Sequence, residues 1–309
     1  AGSLLLVEPG VEPVADHALA RAEPVEFRGE LVVPGDPAEL LSPPEATAEE
    51  VEVLRAELGL DKPVLVQYVN YMWDILHGDF GVSWFTKQPV IDEIVNRMPY
   101  TLSLGVLSTL IASIISIPLG TLTAVKHNTP ADYIVTFLCL LFAAMPGFWL
   151  AIILQIYLSL QTGWFPAYGM GTMRHFVLPV IAVCAASVAT NIRSTRTWVL
   201  DVIRSDYVRT ARAKGASEVV VIMKHALRNA LLPIVTGFGS AFAGVLGGSV
   251  VIETVFAIPG ISTYLTSAVK TRDMPIIMGC ILVISVFVGV VNLLVDLMYS
   301  VIDPRVKYE

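Results

Sequence analysis

The run Asp206-Tyr-Val-Arg-Thr-Ala-Arg-Ala-Lys-Gly215 packs three bases, an acid and a terminal glycine into ten residues, and it is the one basic cluster of the chain. Its residue types suit recognition, not bond breaking. Arg209, Arg212 and Lys214 can anchor a polar partner beside Asp206 and Thr210, and Ala211 and Ala213 leave a low surface that a partner can approach closely. The spacings that catalysis needs are missing. No Gly-x-x-x-x-Gly-Lys-Ser/Thr is present to cradle a nucleotide phosphate, and no His-Glu-x-x-His, Gly-x-Ser-x-Gly or Cys-x-x-Cys. His17, His77, His127, His175 and His225 are scattered singly. Cys139, Cys184 and Cys280 fall inside apolar runs without ligand or pairing spacing, which fits inert buried thiols. No catalytic residue and no metal site are expected, and nothing supports nucleic-acid binding.

The elements that must position this cluster are membrane helices. Apolar residues make up 55% of 309 positions, and the mean hydropathy is +0.69. Five apolar stretches, 101–125, 133–160, 176–197, 230–252 and 275–301, each exceed the ~18–20 residues that span ~30 Å of hydrocarbon as a helix. The alternation of an outer-membrane barrel is absent. The fold class is therefore an all-α integral membrane protein, a polytopic bundle with five spans.

The formal charge of −7 hides two opposite regions. Residues 1–99 carry 18 acids and 6 bases, whereas 100–309 carry 9 acids and 14 bases. Positive-inside bias puts Lys126, the 193–228 segment and the Arg305/Lys307 tail in the cytoplasm. Residues 34–99, with the loops at 161–175 and 253–274, then lie outside, and the C-terminus lies inside. Residues 1–33 are acidic and Pro-punctuated, an uncertain segment expected to be poorly ordered. Residues 34–99 read as a small external cap of amphipathic helices, with Tyr68, Tyr71 and Trp73 as interfacial anchors. Residues 100–309 form the transmembrane domain.

Within that domain, 199–214 reads as a helix leaving the membrane, ended by Gly215 where a positive φ is needed. Ser217 is placed to cap the next helix. Pro118-Leu-Gly120, Pro146-Gly147, Pro179 and Pro233 interrupt spans, either as kinks or as breaks lining a pathway. Ser240, Gly244 and Gly248 recur four residues apart, a seam for close helix approach that is also suited to line a pathway. Asp296, inside the last span, needs a partner at that depth, and Arg193 or Arg196 is expected to supply it as a buried charge pair. From the residues alone, the basic cluster is either a docking surface or a patch for anionic membrane lipid.

Asp206 to Gly215, followed by Lys224-His-Ala-Leu-Arg-Asn-Ala-Leu-Leu-Pro233, resembles the coupling loop of ABC-importer permeases, in the subfamily for dipeptides, oligopeptides and nickel. Pro34-Gly-Asp-Pro37, His77-Gly-Asp-Phe-Gly81, Pro146-Gly-Phe-Trp149, Glu253-Thr-Val-Phe256, Pro259-Gly260, Arg272-Asp273 and Asn292-Leu-Leu-Val-Asp296 are similar to further landmarks, in order, from Pro34 to Arg305. Arg209-Thr-Ala211 stands where the general pattern has Glu-Ala-Ala, and Gly215 lies farther from Pro233; both are usual in the peptide subfamily. The family's first membrane helix, which would give six spans, has no counterpart in residues 1–33.

The resemblance implies a pathway subunit of an ATP-driven importer in a bacterial or archaeal plasma membrane. It implies a homologous second permease, two cytoplasmic ATPases carrying ATP and Mg, and an external solute-binding protein. The coupling loop, 198–229, would seat in the ATPase, and Glu253, Phe256, Pro259 and Gly260 would form the outer gate. A nickel, glutathione or other small-solute importer of the same family is the near alternative. An ion-coupled secondary transporter would call for inverted repeats and several midplane charges, and neither is visible.

Overall fold

The computed structural model describes residues 36–302, apart from the side chains of residues 246–248 and 299–302. The uncertain segment 1–33 and the basic tail at Arg305 and Lys307 lie outside the described residues. One compact unit ends at Pro63, inside the segment read as a single cap, and the other begins at Val64. In the first, helix α1 (Pro37–Leu41) starts where the Asp36 carboxylate accepts from the Ala38 N–H at 3.1 Å. Helix α2 (Ala48–Glu57) opens on a reciprocal capping box between Thr47 and Glu50, which satisfies two otherwise orphaned donors.

In the second unit, α3 (Val64–Leu76) exposes Leu65, Tyr68, Val69 and Trp73 on its surface. The following loop is pinned by Ser83, whose buried hydroxyl donates to the buried carboxylate of Asp273 at 2.6 Å. Helix α4 (Val90–Val125) runs unbroken for 36 residues through Pro99 and Pro118, so the amphipathic lead-in and the first span are one helix. At 1.5 Å per residue it is about 54 Å long, well over the hydrocarbon thickness.

The stretch 133–160, expected to cross as one span, is instead two helices. Helix α5 (Pro130–Ala144) and helix α6 (Gly147–Leu154), which continues in π-helical turns over Gln155–Gln161, meet at 94°. The cause of the break is local. Pro146 disfavours the α conformation at the residue before it, and Met145 is extended at φ −79°, ψ 125°. Pro179 and Pro233, by contrast, sit inside continuous helices.

Helix α7 (Met173–Ile203) packs against α4, α5 and α6. Its crossing with α4 is close at Gly120, where an added Cβ would lie 2.7 Å from Thr195 Cβ and 2.8 Å from the Ile192 carbonyl. One turn earlier, the Ser116 hydroxyl donates to the Val188 carbonyl at 3.3 Å. The chain continues through α8 (Asp206–Ala213), the single turn α9 (Glu218–Val220), π-helical Val221–Leu227 and α10 (Arg228–Gly248). It ends with α11 (Val250–Val255), α12 (Ile261–Thr271) and α13 (Met274–Ile302). Four helices or helical runs among the described residues are long and apolar enough to cross a membrane, and α5 with α6 makes a fifth if the bent pair counts as one. The protein is a multi-pass membrane protein. Cys139, Cys184 and Cys280 are all buried and unpaired by disulfide.

Arg196 pairs with Asp132. Its Nε and Nη2 donate to the two carboxylate oxygens of Asp132, at 2.8 Å each, and Asp132 is buried. Asp132 also accepts from the Asn128 N–H at 3.0 Å. His127 Nδ1 lies 2.8 Å from Arg196 Nη2 and 3.3 Å from Asp132 Oδ2, so the ring joins the same cluster. The first-turn acid of α5 thus locks the 126–129 turn to α7. Arg193 and Asp296 stand at exposed positions of α7 and α13. The planar guanidinium fork matches a carboxylate with two aligned bonds, which explains why Asp132 holds Arg196 so firmly.

Two outcomes are expected of this packing. Gly120→Val should lower the unfolding free energy by about 2 kcal/mol, as overpacking does, read as a lower thermal midpoint in detergent. In a cycle of Asp132→Ala, Arg196→Ala and the double variant, each single variant should cost about 3 kcal/mol. The double variant should cost clearly less than the sum; additive losses would deny the pair.

Candidate functional site

The basic cluster folds as an elbow. The expected continuous helix over 199–214 is in fact broken after Ile203, because Ser205 is extended at φ −71°, ψ 153°. Its hydroxyl bonds back to the Val202 carbonyl at 2.6 Å, which closes the end of α7. Helix α8 then runs Asp206–Ala213 and closes as a Schellman motif. The Ala216 N–H reaches the Ala211 carbonyl at 3.3 Å, and the Gly215 N–H reaches that of Arg212 at 2.9 Å. Gly215 has φ +82°, the conformation expected of it. Ser217 does stand at the start of α9, but its side chain makes no capping bond.

Across the turn, Arg212 Nε donates to Glu218 Oε1 at 2.8 Å and Nη2 to Oε2 at 3.3 Å. Arg209 lies 3.6 Å from Asp206, and the Thr210 hydroxyl bonds to the Asp206 carbonyl at 2.9 Å. Exposed pairs of this kind contribute about 0–1 kcal/mol, so they shape the surface more than they stabilise it. Asp206, Arg209, Thr210, Arg212, Lys214 and Gly215 are exposed, Ala211 is half-buried, and Val208 is completely buried. Helix α8 packs on Val221–Leu227, where Val221 is also fully buried. A polar rim therefore rides on an apolar root that joins the run into α10. Val208 and Glu218 went unnoticed in the sequence. The available signals were a lone β-branched residue inside a polar helix and an acid just beyond the helix-ending glycine.

The second group forms a buried node. The Glu253 carboxylate is fully buried. Its Oε1 accepts from Thr101 Oγ1 and Ser249 Oγ, both at 2.8 Å. Its Oε2 accepts from the Thr263 N–H at 3.0 Å and the Thr263 hydroxyl at 3.3 Å. Thr101 also accepts from the Ile261 N–H at 2.9 Å. Four donors from α4, the α10–α11 junction and α12 thus satisfy one acid, as burial of a carboxylate requires. Gly260 is pressed against Glu253 so tightly that a Cβ there would clash with the carboxylate. Phe256 is buried in a cluster with Leu104, Leu178 and Ile258, and Pro259 is half-buried beside it. Gln155 extends the node by donating to the Ala167 and Val255 carbonyls at 2.7 and 3.0 Å.

The small-residue seam behaves differently from a packing stripe. Ser240 and Gly244 are exposed, and a Cβ on Gly244 would meet nothing within 4 Å. The close approaches on α10 are made by Gly237 against Trp198 and Gly239 against Val295. Gly248 is the last residue of α10.

Comparison with known proteins agrees with this architecture. Residues 116–308 match the family model described as binding-protein-dependent transport system inner membrane component. Residues 24–105 match that of the N-terminal part of such membrane components. A peptide transport system permease protein of Brucella abortus (strain 2308) is 40% identical over 286 residues, covering 90% of this chain and 91% of that protein. The glutathione transport system permease protein of Escherichia coli (strain K12) is 40% identical over 278 residues, with the same coverage. The fold is similar to that of an inward-facing MetNI methionine ABC transporter, with a TM-score of 0.59 at 16% identity, over 69% of this chain and 97% of that one. The chain belongs to the family of binding-protein-dependent transport system inner membrane components, the permeases of ABC importers.

Proposed function

We propose that this chain is one of two homologous pathway subunits of an ATP-driven importer of short peptides. Two ATPase subunits bind ATP and Mg and dock on the α8–Gly215–α9 elbow from the cytoplasm, where the C-terminus also lies. A solute-binding protein delivers peptide from the opposite side, the side of residues 34–99. The chain itself performs no catalysis.

The observation that carries this reading is the elbow. Its rim of Arg209, Arg212, Lys214 and Gly215 is exposed, while Val208 and the Schellman turn root it in the helical run that becomes α10. A push on such a rim moves a membrane helix instead of bending a loop. The transport states differ in how the helices meet, so a partner that closes on the elbow biases one arrangement over the other. Glu253, Phe256, Pro259 and Gly260 serve as the outer gate, a role supported by their joining α4, α11 and α12 through one buried acid. Glutathione is the second solute that the relatives support, and it is itself a short peptide. An ion-coupled transporter would leave the elbow without a task.

Gly215→Val tests the assignment. A β-branched side chain at φ +82° is strained by roughly 1–2 kcal/mol, enough to unseat the turn without unfolding the spans. The assembled complex in proteoliposomes should insert normally, hydrolyse ATP, and take up a labelled tripeptide at least about tenfold more slowly. Full uptake by this variant would sink the coupling role.

A further inference from the structure

An open cavity lies between the middle of α7, the C-terminal half of α10 and the start of α6, with a volume of about 430 Å³. That lies within the roughly 300–1,000 Å³ of small-molecule sites. None of its lining residues is ionisable. Its walls are small residues such as Gly147 and Gly244, and its polar groups are Ser187, Thr190, Asn191 and Ser249.

Two of these groups have unused bonding capacity. Asn191 is nine-tenths buried, and its Nδ2 donates to Ser187 Oγ at 3.3 Å. Its Oδ1 accepts no hydrogen bond among the described residues, and the Ser187 hydroxyl, having accepted that bond, donates none. Thr190 and Ser249 are already engaged, with the Ala186 carbonyl and with Glu253. An acceptor left without a protein donor at the edge of an open cavity is free to meet a donor on a ligand. One helical turn apart, a vacant amide oxygen and a vacant hydroxyl hydrogen together match the N–H and C=O of one peptide unit.

We propose that this cavity is a section of the solute path that holds peptides by their backbone, through Asn191 Oδ1 and the Ser187 hydroxyl. The inference rests on the peptide-importer reading and adds a selectivity rule. With no charge on its walls, the path accepts acidic, neutral and basic side chains alike. A charge placed on the wall imposes discrimination by sign, since a fixed charge attracts or repels a nearby solute charge strongly in a partly dehydrated site.

Thr190 is exposed and lines the cavity, so Thr190→Asp and Thr190→Lys alter the wall without disturbing a packed position. The complete complex, with its binding protein, is assayed in proteoliposomes for uptake of Ala-Ala-Ala, Ala-Glu-Ala and Ala-Lys-Ala. Each variant's rate is divided by the wild-type rate for the same peptide, which cancels the preference of the binding protein. Thr190→Asp should depress Ala-Glu-Ala roughly tenfold relative to Ala-Ala-Ala, and Thr190→Lys should depress Ala-Lys-Ala similarly. Asn191→Leu, recovered in assembled complex, should slow all three together. Unshifted ratios in both charge variants, with wild-type uptake intact, overturn the path assignment alone. Wild-type complex that imports none of the three overturns the importer reading along with it.

Discussion

Glu253 is the acid on which the upper architecture depends. Where no bulk water is available to solvate it, a carboxylate must collect donors from the protein. Doing so ties Thr101 of α4, Ser249 at the α10–α11 junction and Thr263 of α12 to one point. Every segment between residues 249 and 263 is then fixed by geometry around that point, including the turn at Pro259-Gly260 and the burial of Phe256. Gln155 extends the same logic into the π-helical end of α6. The node needs no opposite charge, because neutral donors occupy both carboxylate oxygens.

At the other end, the bond between Asp132 and Arg196 performs the corresponding task for the 126–129 turn. The two nodes differ in chemistry. One is a carboxylate surrounded by hydroxyls and a backbone amide, insulated from solvent; the other is an ion pair in which Arg196 stays partly exposed. Close to the ion pair, α4 and α7 cross tightly at Gly120 against Ile192 and Thr195, which resists sliding there, whereas α8 is rooted separately through Val208.

Much of this was visible in the residue order, for identifiable reasons. Span-length apolar runs report helices directly, and Gly215 after a polar helix reports its end, because the signals are local. The break at Pro146 was visible only as a weakness. Proline tells where a helix can stop, while the 94° angle comes from how α6 packs against α7 and α11. The pairing of Arg196 with Asp132 was not anticipated, because it follows from α5 packing beside α7, and charge and depth in the sequence do not report which helix is the neighbour. The Glu253 node joins residues about 150 positions apart, and no local pattern announces a contact of that range. Asn191 looked like one more polar residue on a long helix until its neighbours left its oxygen vacant.

The closed state of the three cysteines has a practical side. Cys139, Cys184 and Cys280 are buried, and burial shields a thiol from reagents. A cysteine introduced at Ala213, exposed on the elbow, would then be the only thiol on this chain open to labelling. A spin label or fluorophore placed there would report from one known position, with the native sulfurs left in place and the apolar packing around them undisturbed.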